Sequence, residues 1–527
     1  MTPFFDPRVG LWVFEGRKVF EAHATVQRLK ESPAALFLVL LKPGESRGMG
    51  DDESQVLYFQ GQDLEAFRSF LVQNFSSLDR ASLLKTAYIF QDLQATESER
   101  RMWDEFRSTI QQQADLQIQM AGHLSDSMIG FKHLCQNISH WAELPAASDY
   151  FGSAEGFPAV VVSTGPSLNG QIESLKKIQD SAIVIAADAS LKVLRAADID
   201  PHFVCSIERD LTTLAFFENY QPLSHWPKLL AYPEVPPQVV KAYLGPQIGI
   251  FRTYHSHAYF DSFLKKGRLR SGHSVAHLCL AWAEALGANP IYLVGQDLSF
   301  DPDSLATHSK NTAYADWEKP RSIDELKKQI EAEGDQLWWG KNYRKEPVPS
   351  RIYYRAFAHQ LSAQAANMKA DVYNAWDGGL VIPGIDYQPL STIPADSGSL
   401  ARLAKQWEAS NTGSSASPDL NSLWHALEGR RNLYQAGIKM LAGSSKDLAS
   451  LESLRRDWLH WMQDDVSRAF VFGMAGSEFL KLDVQWREAC LEPSSENSLH
   501  TILCSFLELS LKVTDAVMAE IKNISSQ

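Results

Sequence analysis

Between residues 155 and 400 the chain repeats one pattern: a short apolar run, a turn of small or polar residues, then a stretch with helical periodicity. The runs are AVVVSTG, AIVIAADAS, HFVCSIE, KLLAYPE, IGIFRTY, PIYLVGQD and DVYNAW. Strands this short and this apolar are buried on both faces, and strands joined through helices run parallel. The pattern predicts an α/β domain with helices on both sides of a parallel sheet. Ligands in such sheets bind beyond the carboxyl ends of the strands. Polar residues gather there in the sequence. Thr164, Gly165, Pro166 and Ser167 follow the first run, Asp188 and Ser190 the second, Ser206 to Asp210 the third, and Gln296 and Asp297 a later one. Ser167 is placed to cap the helix that continues through QIESLKKI, whose first N–H groups offer an anion site.

The remainder of the chain divides by composition. Residues 1–120 mix strand-like runs with amphipathic helices and predict an N-terminal α/β domain, followed by a helical connector over 121–154. The linker ASNTGSSASPD precedes a helical bundle, which takes up 401–527. At 527 residues the chain is too long for one ordinary core. A formal charge of −13 argues against a duplex nucleic-acid partner. The five cysteines are scattered without CxxC spacing, which suggests reduced thiols and a cytoplasmic protein. The opening MTPFFDPRVG lacks the pattern of a secretory signal. The longest apolar run, AALFLVLL, is less than half a membrane span, so no membrane span is expected.

Two further stretches narrow the chemistry. In GRLRSGHSVAHLCLAWAEALGANPIYLVGQDLSFD, a loop with Arg268, Arg270, Ser271 and Gly272 opens a long helix, where arginines favour a carboxylate or phosphate. His273 and His277 fall four apart on that helix with no Glu between them, so packing or capping is expected of them rather than zinc binding. ATHSKNTAYADW follows, with His308 in a polar loop.

GPSL, then RLRSGHS…ALGANPIYLVGQDLSF, then THSKNT, in this order, resembles the bacterial sialyltransferases that use CMP-activated nonulosonic acids. The whole chain resembles more closely the motility-associated-factor (Maf) family, which attaches such sugars to flagellin; VYNAWDGGLVIPG is similar to the stretch that follows in Maf-type centres. The resemblance implies a sialyltransferase-like, Rossmann-type centre over 155–400. It further implies that Gly165, Pro166 and Ser167 lie against the nucleotide phosphate, and that Arg268, Ser271 and Gly272 hold the donor's phosphate or carboxylate. His308 matches the catalytic histidine. Asp188 stands where the family has an Asn that contacts the nucleotide. Ser206 stands near a donor contact whose motif is not kept. Asp297 counts among the donor-binding residues, and Ser299 occupies the place of a tyrosine that steadies the leaving phosphate.

The implied reaction is transfer of a pseudaminic- or legionaminic-type acid from CMP to Ser or Thr hydroxyls of flagellin, in support of flagellum assembly and motility. It requires no cofactor, and the charge of Asp188 leaves room for a bound Mg²⁺. Histidine suits the removal of a hydroxyl proton near neutral pH. Two alternatives stand beside it. One is pyrophosphoryl transfer to a hydroxymethylpterin, with Mg²⁺ held by acidic residues such as Asp188, Asp210 and Asp297. The other is a non-catalytic flagellin-binding chaperone.

Overall fold

The computed structural model describes residues 10–22, 35–45, 56–75, 78–120, 122–253, 255–312, 322–394, 399–409, 419–443, 448–462, 464–489 and 496–525. The four segments expected from composition regroup as two compact units. One contains residues 1–128 together with 420–525, and the other contains 129–419.

The first unit carries a parallel sheet of β1 (Gly10–Glu15), β2 (Ala35–Leu41), β3 (Val56–Gln60) and β4 (Tyr88–Phe90), in the order β3-β2-β1-β4. Alternation along β1 sends Leu11 and Val13 to one face, where Leu38, Leu40, Phe67, Leu71, Trp103 and Phe106 cover them. Phe14 goes to the other face, with Phe20, Phe37 and Val39. The C-terminal helices belong to this same unit. The helix Glu496–Ser525 packs along Leu420–Gly443, while Gly476–Ala489 lies against Leu78–Lys85 and Glu97–Met120. Trp458 and Phe506 meet with ring centroids 4.5 Å apart in the core of the bundle. No helix among the described residues is long and apolar enough to cross a membrane.

The second unit is the α/β domain foreseen from the repeat. Its strands are β5 (Ala159–Val162), β6 (Ile183–Ala187), β7 (Phe203–Ser206), β8 (Lys228–Ala231), β9 (Gln247–Gly249), β10 (Phe251–Arg252), β11 (Arg268–Leu269), β12 (Ile291–Val294), β13 (Leu337–Lys341), β14 (Pro347–Arg351), β15 (Val372–Asn374) and β16 (Asp386–Tyr387). Eight of them form one all-parallel sheet in the order β16-β15-β12-β5-β6-β7-β8-β9. Val160 and Val162 point to one face, under Leu168 and Leu175 of the helix Leu168–Ile178. Ala159 and Val161 point to the other, under Leu278 and Trp282 of the helix Val275–Ala285 and Leu361 of Ile352–Ala365. From β5 the chain steps outward to β9, then returns to place β12 on the opposite side of β5. The switch point between β5 and β12 is where a doubly covered parallel sheet opens a crevice.

The helix Ser399–Ala409 also belongs to this unit, so its core extends past the boundary expected at residue 400. Trp407 packs on Phe203, centroids 4.9 Å apart, and its indole N–H donates to Ser153 Oγ at 2.9 Å. Trp407→Ala is expected to destabilise the unit by about 3–5 kcal/mol, the usual cost of truncating a buried large aromatic. Urea unfolding checks this, and an unchanged midpoint would place the helix outside the core.

Candidate functional site

At the switch point, the turn after β5 and the turn after β12 are bonded to each other. Gly165 N–H donates to Gly295 O at 2.7 Å, and Ser163 Oγ donates to Gln296 Oε1 at 2.7 Å. Asp297, 7% exposed, sits between the two turns. Its Oδ2 accepts from Ser167 Oγ at 2.7 Å and from Ser167 N–H at 3.3 Å. A Cβ at Gly165 would lie 2.0 Å from that same oxygen, so only glycine fits beside the carboxylate. The sequence reading gave Ser167 to the helix as a cap; its hydroxyl is used on Asp297 instead. The next three N–H groups, of Leu168, Asn169 and Gly170, donate to the carbonyls of Gly165, Pro166 and Ser167. The donors expected to meet a phosphate are thus engaged inside the protein, and the anion at this helix start is Asp297 itself.

Burial raises the Asp297 pKa to about 6, against the opposing hydrogen bonds from Ser167. The DGGL turn closes the far side: Leu380 N–H donates to Asp297 O at 2.8 Å, and Gly379 lies so close that a Cβ would come 2.8 Å from Asp297 Cα. Ser299, 5% exposed, follows in a buried stretch where Ser350 Oγ donates to Leu298 O at 2.7 Å and Phe300 N–H to Pro349 O at 2.8 Å.

The loop carrying His308 is fastened to the turn after β5. Ser309 N–H donates to Thr164 O at 2.7 Å, and Lys310 N–H to Asn169 Oδ1 at 3.0 Å. These two bonds bring the half-buried His308 to the switch point, with Thr307 Oγ1 2.8 Å from its Nδ1. Residues 313–317 of the same motif lie outside the described residues.

Asp188 and Ser206 meet at the ends of β6 and β7. Ser206 Oγ donates to Asp188 Oδ2 at 2.7 Å, and Ala189 N–H to Asp188 Oδ1 at 2.8 Å. Burial, aided by the Glu208 charge, pushes the Asp188 pKa up to about 7. Asp210 is exposed and spends its carboxylate on Thr212 N–H at 2.7 Å, which lowers its pKa. Among the described residues no three His, Cys, Asp or Glu side chains gather as metal ligands, so Asp188, Asp210 and Asp297 do not form one cluster.

Ser271 stands 2.9 Å from the Tyr232 hydroxyl. Gly272 lies over the ring of His277, where a Cβ would come 2.6 Å from Cδ2. His277 is fully buried and caps its own helix, with Ser274 Oγ 2.6 Å from its Nδ1; burial takes its pKa to about 3. It is the packing histidine expected. Arg268 is 47% exposed and faces Asp261, with Nε 3.3 Å from Oδ2. A different arginine is linked to Ser271 through the Tyr232 ring. Arg252 lies 4.3 Å from the centroid of the Tyr232 ring, and both Arg252 and Arg209 reach the buried Glu234. Sequence reasoning missed Glu234 and Arg252. The signals were there: Arg209 lies three residues past the end of β7, and Arg252 ends the IGIFR run.

The raised Asp188 pKa has a definite sign. The carboxyl titrates near 3.8 when unperturbed and near 7 when folded, so its neutral form favours the fold below about pH 4 and that contribution is lost as pH rises through 7. Asp188→Asn keeps the shape and removes the titration. Melting temperatures between pH 4 and 8.5 are expected to shift in the variant's favour as pH rises. A difference from the parent that does not change with pH would contradict the shift.

Comparison with known proteins adds two likenesses. The family model described as 6-hydroxymethylpterin diphosphokinase MptE-like matches residues 132–303. No curated protein matches. Among solved structures, the Maf glycosyltransferase from Magnetospirillum magneticum AMB-1 is similar, with a TM-score of 0.60 at 15% identity, covering 98% of this chain and 80% of that one. The likeness to the Maf enzyme suggested by the motifs is therefore present in the fold, over nearly the whole chain.

Proposed function

We propose that the protein is a glycosyltransferase that moves a nonulosonic acid from its CMP-activated form to a Ser or Thr hydroxyl of flagellin. The observation that carries this reading is the fastening of the His308 loop onto the turn after β5, across the switch point from Asp297. The likeness in fold to a Maf glycosyltransferase, which extends beyond the centre, supports it. In the proposed step, His308 takes the proton of the acceptor hydroxyl as its oxygen attacks the anomeric carbon. The bond from that carbon to the CMP phosphate breaks, and the phosphate leaves with the electron pair. Thr307, at 2.8 Å from Nδ1, orients the ring. A single displacement inverts the configuration and needs no enzyme nucleophile. Asp188, its pKa raised to about 7, lowers the negative charge on the rim that receives an anionic donor, while Asp297 serves as the carboxylate that holds Ser167. We place the reaction in the cytoplasm.

A second reading, pterin diphosphorylation, is favoured by the match to the MptE-like family model. That match ends at residue 303, before the His308 loop, and leaves both flanking segments unexplained. The two readings separate in one assay: the protein with CMP-sugar and flagellin, against the protein with ATP, Mg²⁺ and hydroxymethylpterin. If His308 is the base, His308→Ala is expected to slow sugar transfer by roughly 10²- to 10⁴-fold while CMP affinity holds. Near-normal transfer by this variant would remove His308 from the mechanism, and turnover only with the pterin would replace the reading itself.

A further inference from the structure

The engaged donors at the turn after β5 leave a question that the proposed function must answer: which groups meet the negative charge of the donor. Two arginines gather elsewhere on the rim, beyond the ends of β7, β8 and β10. Arg209 follows β7, Glu234 follows β8, and Arg252 ends β10. Glu234, 5% exposed, takes Arg209 Nη2 on Oε1 at 2.5 Å and faces Arg252 Nε across 2.8 Å with Oε2. His257 stands 3.6 Å away through Nε2, while its Nδ1 accepts from Arg252 N–H at 3.1 Å, so the ring is the neutral tautomer with its proton toward Glu234. The two guanidinium charges hold the Glu234 carboxyl well below its usual range.

The cluster is braced from below by the helix Leu124–Glu143. His133 Nδ1 lies 3.0 Å from Glu234 O, and Asn137 Nδ2 donates to the carbonyls of Pro233 and Val235 at 3.0 and 2.9 Å. On the same helix, Gly130 makes room for Arg209, since a Cβ there would come 2.5 Å from Arg209 Nε. From above, Arg252 packs on the Tyr232 ring, and the Tyr232 hydroxyl meets Ser271. The charges of Arg252 and Arg209 also reach the exposed His273, where they add to the crowding of protein around the ring in lowering its pKa. Two arginines, a serine and a neutral histidine thus converge on the loop that opens the helix Val275–Ala285. A buried ion pair is costly to form and stabilises little, so its net gain to the fold does not by itself account for this braced cluster.

We infer that Arg209 and Arg252, with Ser271 and His273, form an oxyanion subsite that fixes the negatively charged part of the sugar nucleotide. This rests on the proposed function and replaces Arg268 by Arg209 and Arg252 as the anion-recognising arginines. The chemistry, a planar guanidinium against an oxyanion, suits either the donor phosphate or the sugar carboxylate.

The test uses the full chain, three probes (cytidine, CMP and CMP-N-acetylneuraminic acid) and two variants read by calorimetric titration. Arg209→Gln removes one guanidinium and leaves the Glu234–Arg252 pair in place. Gly130→Ala keeps every charge, favours its helix, and displaces Arg209 through the added Cβ. Both are expected to weaken CMP-N-acetylneuraminic acid by roughly tenfold or more, the scale of a hydrogen bond to a charged group, with cytidine unchanged. CMP falling in step assigns the subsite to the phosphate, and CMP holding assigns it to the carboxylate. Unchanged affinities for all three probes would overturn the inference. So would equal weakening of all three with a lowered melting temperature, since the cluster then only supports the fold. A parent protein that binds none of the probes would overturn the proposed function, and this inference with it.

Discussion

The site depends on one buried carboxylate. Asp297 holds the turn after β5 through Ser167, forbids a side chain at Gly165, and receives the DGGL turn on its backbone. A carboxylate at the start of a helix is favoured by the N–H groups there, yet the loss of water raises its pKa. The balance keeps two turns from opposite sides of the switch point locked together, and the His308 loop rests on one of them. The acidic residue is therefore architecture, and the N–H donors at this helix start are spent within the protein.

The sheet was legible because its strands are too apolar and too short to be anything but buried, and because polar residues stop abruptly at their ends. Ser206 and Asp188 were read as rim residues from that boundary alone, and the structure bonds them to each other. What the sequence hid was pairing at a distance. Nothing in GPSL shows that Ser167 spends its hydroxyl on a residue 130 positions later. Nothing in RLRSG shows that Arg268 turns to Asp261 while Arg252, sixteen positions earlier, stacks on the tyrosine that reaches Ser271.

The same blindness applied to domains. Composition separates an α/β beginning from a helical end, because each has its own periodicity. It cannot see that Gly476–Ala489 supplies the apolar face wanted by Leu78–Lys85 and Glu97–Met120. Hydrophobic faces say that a cover is required without saying which segment provides it.

That joining of the two ends has a consequence for synthesis. The sheet of the first unit leaves the ribosome early, but the helices that complete its core are the last to be made. At ~5–20 residues per second, the intervening segment alone delays them by roughly 15–60 s. During that interval Leu78–Lys85 and Glu97–Met120 present uncovered apolar surface, while the α/β unit, encoded without interruption, has all its parts. The nascent chain is thus most exposed to wrong association at its oldest end, and its final 30-residue helix, Glu496–Ser525, ends that exposure.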